Sequence, residues 1–186
     1  MSDFTAEKHS DIPSQLAQKL SQIKMLAMDV DGVLTDGKLY YSEQGELLKT
    51  FSIKDGLGIK LLHDYGVEPA IITGRRSRMV ELRAAELGIK KIIQGREDKL
   101  IALKELAKSN AYKLDQIAYI GDDLPDLSAI ISCGLGATVA DACQEVKSRA
   151  DWISQYNGGG AAVRELAELI LRAQGFFPKI IDTYLP

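Results

Sequence analysis

The sequence predicts an α/β fold: a doubly wound parallel sheet covered by helices on both faces, with a β-hairpin flap. Three observations predict it. Short, nearly continuous apolar runs rich in β-branched residues alternate with amphipathic segments, which is how strands buried on both faces read. One pair of extended segments around a turn breaks that rhythm early in the chain. Four of the apolar runs end in polar residues able to do chemistry, and in such sheets ligands bind at the carboxyl ends of strands.

In chain order, residues 1–23 form a polar segment without the apolar stretch of a signal peptide. "KMLAMDV" (24–30) is the first strand. "KLYYSEQGELLKTFSI" (38–53) reads as two strands around Glu-Gln-Gly, a hairpin. The segment beginning "GLGIKLL" is a helix for which Asp55 is a candidate N-cap. "VEPAIITG" (67–74) and "KKIIQG" (90–95) are the next strands. "LIALKELA" (100–107) puts Leu100, Leu103, Leu106 and Ala107 on one helical face. "QIAYIGD" (116–122) and "GLGATVA" (134–140) complete the strands, and Pro125 between them fits the first turn of a helix. Asp141, with Gln144 three residues on, reads as another N-cap. "AAVRELAELILRAQG" (161–175) is amphipathic and ends at Gly175. The apolar tail, residues 176–186, docks either on its own domain or on a neighbouring subunit.

Bulk properties narrow the class. A chain of 186 residues with 46% apolar and 26% charged residues matches a single ordinary globular domain. A chain of this size buries roughly 70% of its unfolded surface, so its core needs no disulfide or structural metal. The net charge of −3 argues against a nucleic-acid or anionic-membrane partner held by bulk electrostatics. Cys133 and Cys143 match no metal or redox spacing and read as small core residues in a reducing compartment. No apolar run approaches the ~20 residues of a membrane span, so a cytoplasmic protein is expected.

The chemistry concentrates in "DVDGVLTDG" (29–37), where Asp29, Asp31 and Asp36 crowd behind the first strand. Like charges repel, so such a cluster needs a counter-charge. Asp29 with Asp122, from the "GDDLPD" that closes a later strand, would make a hard oxygen site suited to Mg²⁺. Asp31, set off from that ion, is then free to exchange protons. A calcium-binding EF-hand loop is excluded, because Leu34 and Tyr40 stand where Gly and Glu are required.

The joint pattern, Asp-x-Asp-Gly, then Thr73-Gly74-Arg75, then Lys99, then Gly-Asp-Asp-x-x-Asp, resembles the haloacid-dehalogenase superfamily of phosphohydrolases over nearly the whole chain from residue 24. The resemblance implies a Rossmann-like sheet of that type. It implies that Asp29 is the nucleophile and forms an aspartyl-phosphate, and that Asp31 is the acid and base. Thr73 would bond the phosphoryl group, and Lys99 would balance its charge. Mg²⁺ would sit on Asp29, the Asp31 carbonyl and Asp122, with Asp123 and Asp126 orienting that shell. Only about 40 residues separate Asp31 from Thr73, too few for a cap domain.

"FSIKDGLGIK" (51–60), "TGRRS" (73–77), "QGREDK" (94–99) and "NGGGAAVRE" (157–165) look like a branch of that superfamily acting on phosphorylated sugar acids. The branch implies 3-deoxy-D-manno-octulosonate 8-phosphate as substrate, in lipopolysaccharide precursor synthesis. It implies a homotetramer with the hairpins at its centre, and the glycine-rich segment and the tail mobile over the pocket. Substrate contacts would fall on Asp31, Ser52, Lys54, Asp55, Gly56, Lys60, Gly74, Arg75, Arg83 and Lys99. Lysine at position 60 departs from a bidentate arginine contact there. Three other readings compete: a phosphatase of nine-carbon sialic-type sugar acids, an open phosphatase for macromolecular ends, and a non-catalytic assembly module.

Overall fold

The computed structural model describes residues 12–186. The expectations for residues 1–11 lie outside the described residues. After helix α1 (Ser14–Ser21), strand β1 (Met25–Met28) runs through the centre of the molecule with all four residues buried. A two-stranded antiparallel hairpin follows, β2 (Tyr40–Ser42) and β3 (Gly45–Leu48), and then α2 (Ile53–Asp64). Strand β4 (Glu68–Thr73), α3 (Arg78–Leu87), β5 (Lys91–Gln94) and α4 (Lys99–Ser109) come next. The chain continues through β6 (Ile117–Gly121), the short α5 (Leu127–Ile130), β7 (Leu135–Thr138) and α6 (Gln144–Lys147). It ends with β8 (Trp152–Ile153), α7 (Ala162–Ala173) and α8 (Phe177–Asp182).

The main sheet has six parallel strands in the order β5-β4-β1-β6-β7-β8. The chain therefore builds outward from β1 to β5, then returns across β1 to build the other way. Right-handed crossovers then put α2 and α3 on one face and α4 and α5 on the other. Helix α7 returns to pack on α2 and α1, closing the first face. The strand order reverses beside β1, so the crevice at its carboxyl end is where such a sheet offers a site.

The core agrees with the apolar runs: Met25 to Met28, Ala70 to Ile72, Ile117 to Ile120 and Leu135 are buried. Strand β8 went unpredicted. It has two residues, too few to show a period, and exists by pairing with the edge of β7. The tail docks on its own chain: Phe177 and Ile180 are buried, Phe176 meets Tyr65 at a 5.3 Å ring separation, and Arg172 lies 3.6 Å over the Phe177 ring. Both cysteines are free and half-buried.

Two caps differ from expectation. Ser52, not Asp55, caps α2, its hydroxyl oxygen accepting from Lys54 N and Asp55 N at 3.2 and 3.3 Å. Cys143 holds the N-cap position of α6, while the Asp141 carboxylate accepts from Gly158 N at 2.9 Å. In both cases the aspartate expected to cap locally serves a distant segment instead, Asp55 accepting from Arg164 N and Asp141 from Gly158 N, which local spacing does not reveal.

Candidate active site

Sheet register brings the acids together. Asp29 follows β1, and its backbone N donates to Ile120 O on β6 at 3.0 Å. That places it beside Asp122, the residue after β6, and beside Thr73, the last residue of β4. Carboxylate oxygens of Asp29, Asp122 and Asp126 all lie within 4.8 Å of one another. The loop after β1 is wound tightly enough to allow this. Val30 O accepts from the N–H groups of Val33, Leu34 and Thr35. The buried Thr35 hydroxyl accepts from Gly32 N and Gly37 N at 3.4 and 3.2 Å. Gly32 has φ +94°, and a Cβ there would lie 2.1 Å from Asp122 Oδ2, so only glycine lets the two loops meet.

Lys99 is the counter-charge. It is the first residue of α4, a poor place for a cation because the helix N-terminus is itself positive. Yet it is only 2% exposed. Three acceptors offset that cost: Asp29 Oδ1 at 2.6 Å, Ile72 O at 2.8 Å and Asp126 Oδ1 at 3.4 Å. One lysine does not neutralise three carboxylates. Burial, with Asp126 next in effect, raises the Asp29 carboxyl to about 6 against the pull of Lys99. Burial, then Asp126 and Asp29, raises Asp122 to about 8. A dense set of hard oxygen donors whose charges are this poorly compensated fits a divalent cation such as Mg²⁺.

Asp126 orients this group. Its Oδ1 accepts from Tyr119 OH at 2.6 Å, and its Oδ2 from Asp122 N at 3.1 Å and Asp123 N at 3.4 Å. Tyr119 carried a signal in the sequence, since a phenol inside a buried strand needs a partner. Asp123 has an exposed side chain that caps Leu124 N at 2.8 Å and forms a reciprocal capping box with Asp126. Asp36 stays outside, paired with Lys38 in solvent.

Asp31 points away from the cluster, to the hairpin. It pairs with Lys49, and its Oδ2 lies 3.7 Å from Arg75 Nε. Lys49 in turn meets Glu46 at 3.0 Å, and Glu46 also accepts from Arg75 at 3.4 Å and from Ser77 Oγ at 2.9 Å. Lys49, Glu46 and Ser77 were not singled out by sequence. For Glu46 and Lys49 the one signal is charge flanking the apolar pair in "ELLK"; Ser77 carries none.

The remaining positions expected to contact substrate lie on and around α2, except Gly74 after β4. Asp55 is 1% exposed, and its Oδ1 accepts from Arg164 N at 2.8 Å, so it caps α7 from another helix. Burial raises its carboxyl despite the backbone donors that pull it down. Gly56 is buried against Arg83, whose Nη2 donates to Ser52 O at 3.2 Å. Lys60 is exposed on α2. Lys54 lines a groove of about 770 Å³ with Trp152, Arg164, Glu168 and Arg172. Gly74 sits half-buried against Glu97. The glycine-rich segment does not behave as a loose cover. Gly159 N donates to Val33 O at 2.9 Å, and a Cβ on Gly158 would lie 1.9 Å from Gly32 O. It is packed backbone to backbone on the loop that follows β1.

The comparisons with known proteins agree with this geometry. A haloacid dehalogenase-like hydrolase family profile matches residues 91–166. The chain is 45% identical over 160 residues to the 3-deoxy-D-manno-octulosonate 8-phosphate phosphatase of Haemophilus influenzae, covering 86% of this chain and 89% of that one. Against the Escherichia coli K12 enzyme of the same name it is 42% identical over 167 residues, 90% of this chain and 89% of that one. Its fold superposes with a TM-score of 0.91 on the Moraxella catarrhalis phosphatase of that name, solved with magnesium, phosphate and the sugar acid KDO. That match is 47% identical and covers 94% of this chain and 100% of the other. With these relatives and the acids its sheet assembles, the chain belongs to the haloacid dehalogenase-like hydrolases, in the group of the 3-deoxy-D-manno-octulosonate 8-phosphate phosphatases.

Proposed function

We propose that the protein is a Mg²⁺-dependent phosphatase that hydrolyses 3-deoxy-D-manno-octulosonate 8-phosphate to the free sugar acid and phosphate. The observation that carries this reading is the meeting of Asp29 and Asp122, from two separate strands, beside the buried Lys99. Similarity over most of the chain to phosphatases of that substrate supports the choice of sugar acid.

Asp29 attacks phosphorus; the bond to the sugar oxygen breaks as the Asp29–phosphorus bond forms. Asp31 gives its proton to the departing oxygen, then takes one from the water that splits the aspartyl-phosphate. Lys99, fixed by Ile72 O, holds the Asp29 carboxylate in place and supplies positive charge where anionic nucleophile and dianionic ester meet. Thr73, buried at the end of β4, presents its hydroxyl beside the phosphoryl group. When bound by Asp29, Asp122 and the Asp31 carbonyl, Mg²⁺ supplies the remaining positive charge that the reaction requires. Arg75, half-exposed at the rim beside Asp31, suits the carboxylate of a sugar acid. Ser52, Asp55, Gly56 and Arg83 line one small cavity at the start of α2 and would contact the sugar from there, with Lys54 and Lys60 contributing charge.

We place the enzyme in the cytoplasm, acting in lipopolysaccharide precursor synthesis as a homotetramer with its hairpins at the centre. Exposed apolar residues on the hairpin support that assembly, Tyr41 at 61% and Leu47 at 59% among them. Among the described residues no helix is long and apolar enough to cross a membrane.

The test is phosphate release by purified protein with Mg²⁺ from the octulosonate 8-phosphate and from a nine-carbon sialic-type 9-phosphate. A higher kcat/KM on the first ester is expected. Release from neither above background would overturn the reading, and preference for the second would reassign the substrate.

A further inference from the structure

The proposed acid–base residue Asp31 pairs with the hairpin, through Lys49, and with Arg75 after β4, outside the group formed by the other acids. Lys49, just past β3, has a side chain only 1% exposed, and its ammonium pairs with Asp31. A buried lysine needs its charge compensated on every side. Here the second partner is Glu46, at 3.0 Å. Glu46 is itself fixed from the sheet side, by Ser77 Oγ at 2.9 Å and Arg75 Nη2 at 3.4 Å. Tyr41, on the other hairpin strand, accepts from the same guanidinium at 3.2 Å. The chain of contacts runs from the carboxyl end of β4, through Glu46, to Lys49 and then to Asp31.

From this we infer that Lys49 is a positioning residue for the leaving-group step, aiming the Asp31 carboxyl at the departing oxygen, and that Glu46 anchors Lys49 in that pose. Lys49 reaches the reaction only through Asp31. The structure gives it no contact with the Asp29, Asp122 and Asp126 group, where Lys99 is the cation. The inference rests on the proposed phosphatase activity.

That arrangement has a kinetic signature that a merely structural role lacks. A sugar alkoxide is a poor leaving group and needs a proton as it departs. A p-nitrophenolate is stable without one. The parameter kcat/KM covers only the steps up to that departure, so hydrolysis of the aspartyl-phosphate does not enter it. A well-placed general acid contributes ~10²–10⁴-fold, so partial loss of aim in Lys49→Met should lower kcat/KM on the octulosonate ester by roughly 10–100-fold. On p-nitrophenyl phosphate the same variant should fall by less than about threefold, because little general-acid catalysis is left to lose. Glu46→Gln should show the same asymmetry more weakly, and Lys49→Arg should restore most of the sugar-ester rate. Lys49→Gln provides the same comparison should the methionine variant fail to fold.

Equal losses on both esters, or no loss on either, would overturn the inference while leaving the phosphatase reading intact. If the wild-type protein itself released no phosphate from the octulosonate ester, the activity would fail first, and that control keeps the two failures apart.

Discussion

At the scale of single residues, the centre is a problem of uncompensated charge. Asp29 and Asp122 are both pushed up, to about 6 and about 8, because burial and neighbouring acids disfavour their ionised forms. The folded metal-free protein therefore binds their protons more tightly than the unfolded chain does. That contribution is fully present below the unfolded value of 3.8 and is lost as pH rises through about 6 and about 8. Thermal melts in chelator should show Tm falling between pH 5 and 8, with the gain from added Mg²⁺ largest at pH 8. A metal-free Tm that is flat or rises across that window would contradict this. Asp29→Asn keeps the shape and removes both the proposed nucleophile and its charge. Its turnover should fall below detection while its circular dichroism and metal-free melt remain native or improve. Measurable turnover in a clean preparation would take Asp29 out of its role.

At the scale of elements, the site is assembled by contacts between segments that are remote in sequence. Asp55 on α2 caps α7, and α7 follows directly on the glycine-rich segment that packs against the loop after β1. Loss of an N-cap costs about 0.5–2 kcal/mol. Asp55→Ala should therefore lower Tm by roughly 1–8 °C, at the ~2–4 °C per kcal/mol usual for a chain of this size. Asp55→Asn keeps the acceptor oxygen and should recover most of the loss. A scan of both variants by calorimetry decides it, and no difference between them and wild type would mean that this cap is energetically idle. The hairpin is the other such element, covering Asp31 from outside the main sheet.

At the scale of the whole molecule, the hairpin presents an apolar surface that a single copy leaves in water. Leu39, Tyr40, Tyr41, Leu47 and Leu48 are all exposed. A charge placed there opposes association without touching the core. Light scattering of wild-type protein should return the mass of four chains of 20.4 kDa each, and Leu47→Glu should yield smaller species. A monomeric wild type would remove the assembly and leave the site as open as one for macromolecular substrates.

The sequence by itself determined strands β1 to β7, the amphipathic helices α4 and α7 and the acids at the strand ends, but not the two-residue β8. These follow from local properties: apolar runs, helical period and the ends they leave. That "GDDLPD" and "DVDGVLTDG" share one site was only what the family resemblance implied, and the folded chain is what brings Asp29, Asp122 and Asp126 within 4.8 Å of one another. The tertiary structure alone decided which polar group each side chain serves. Asp55 and Asp141 reach partners more than a dozen residues away, Asp123 turns to its own loop, and Lys49 folds back onto Asp31. Hydrogen-bond partners are set by where the backbone brings two segments together, and spacing along the chain carries no record of that.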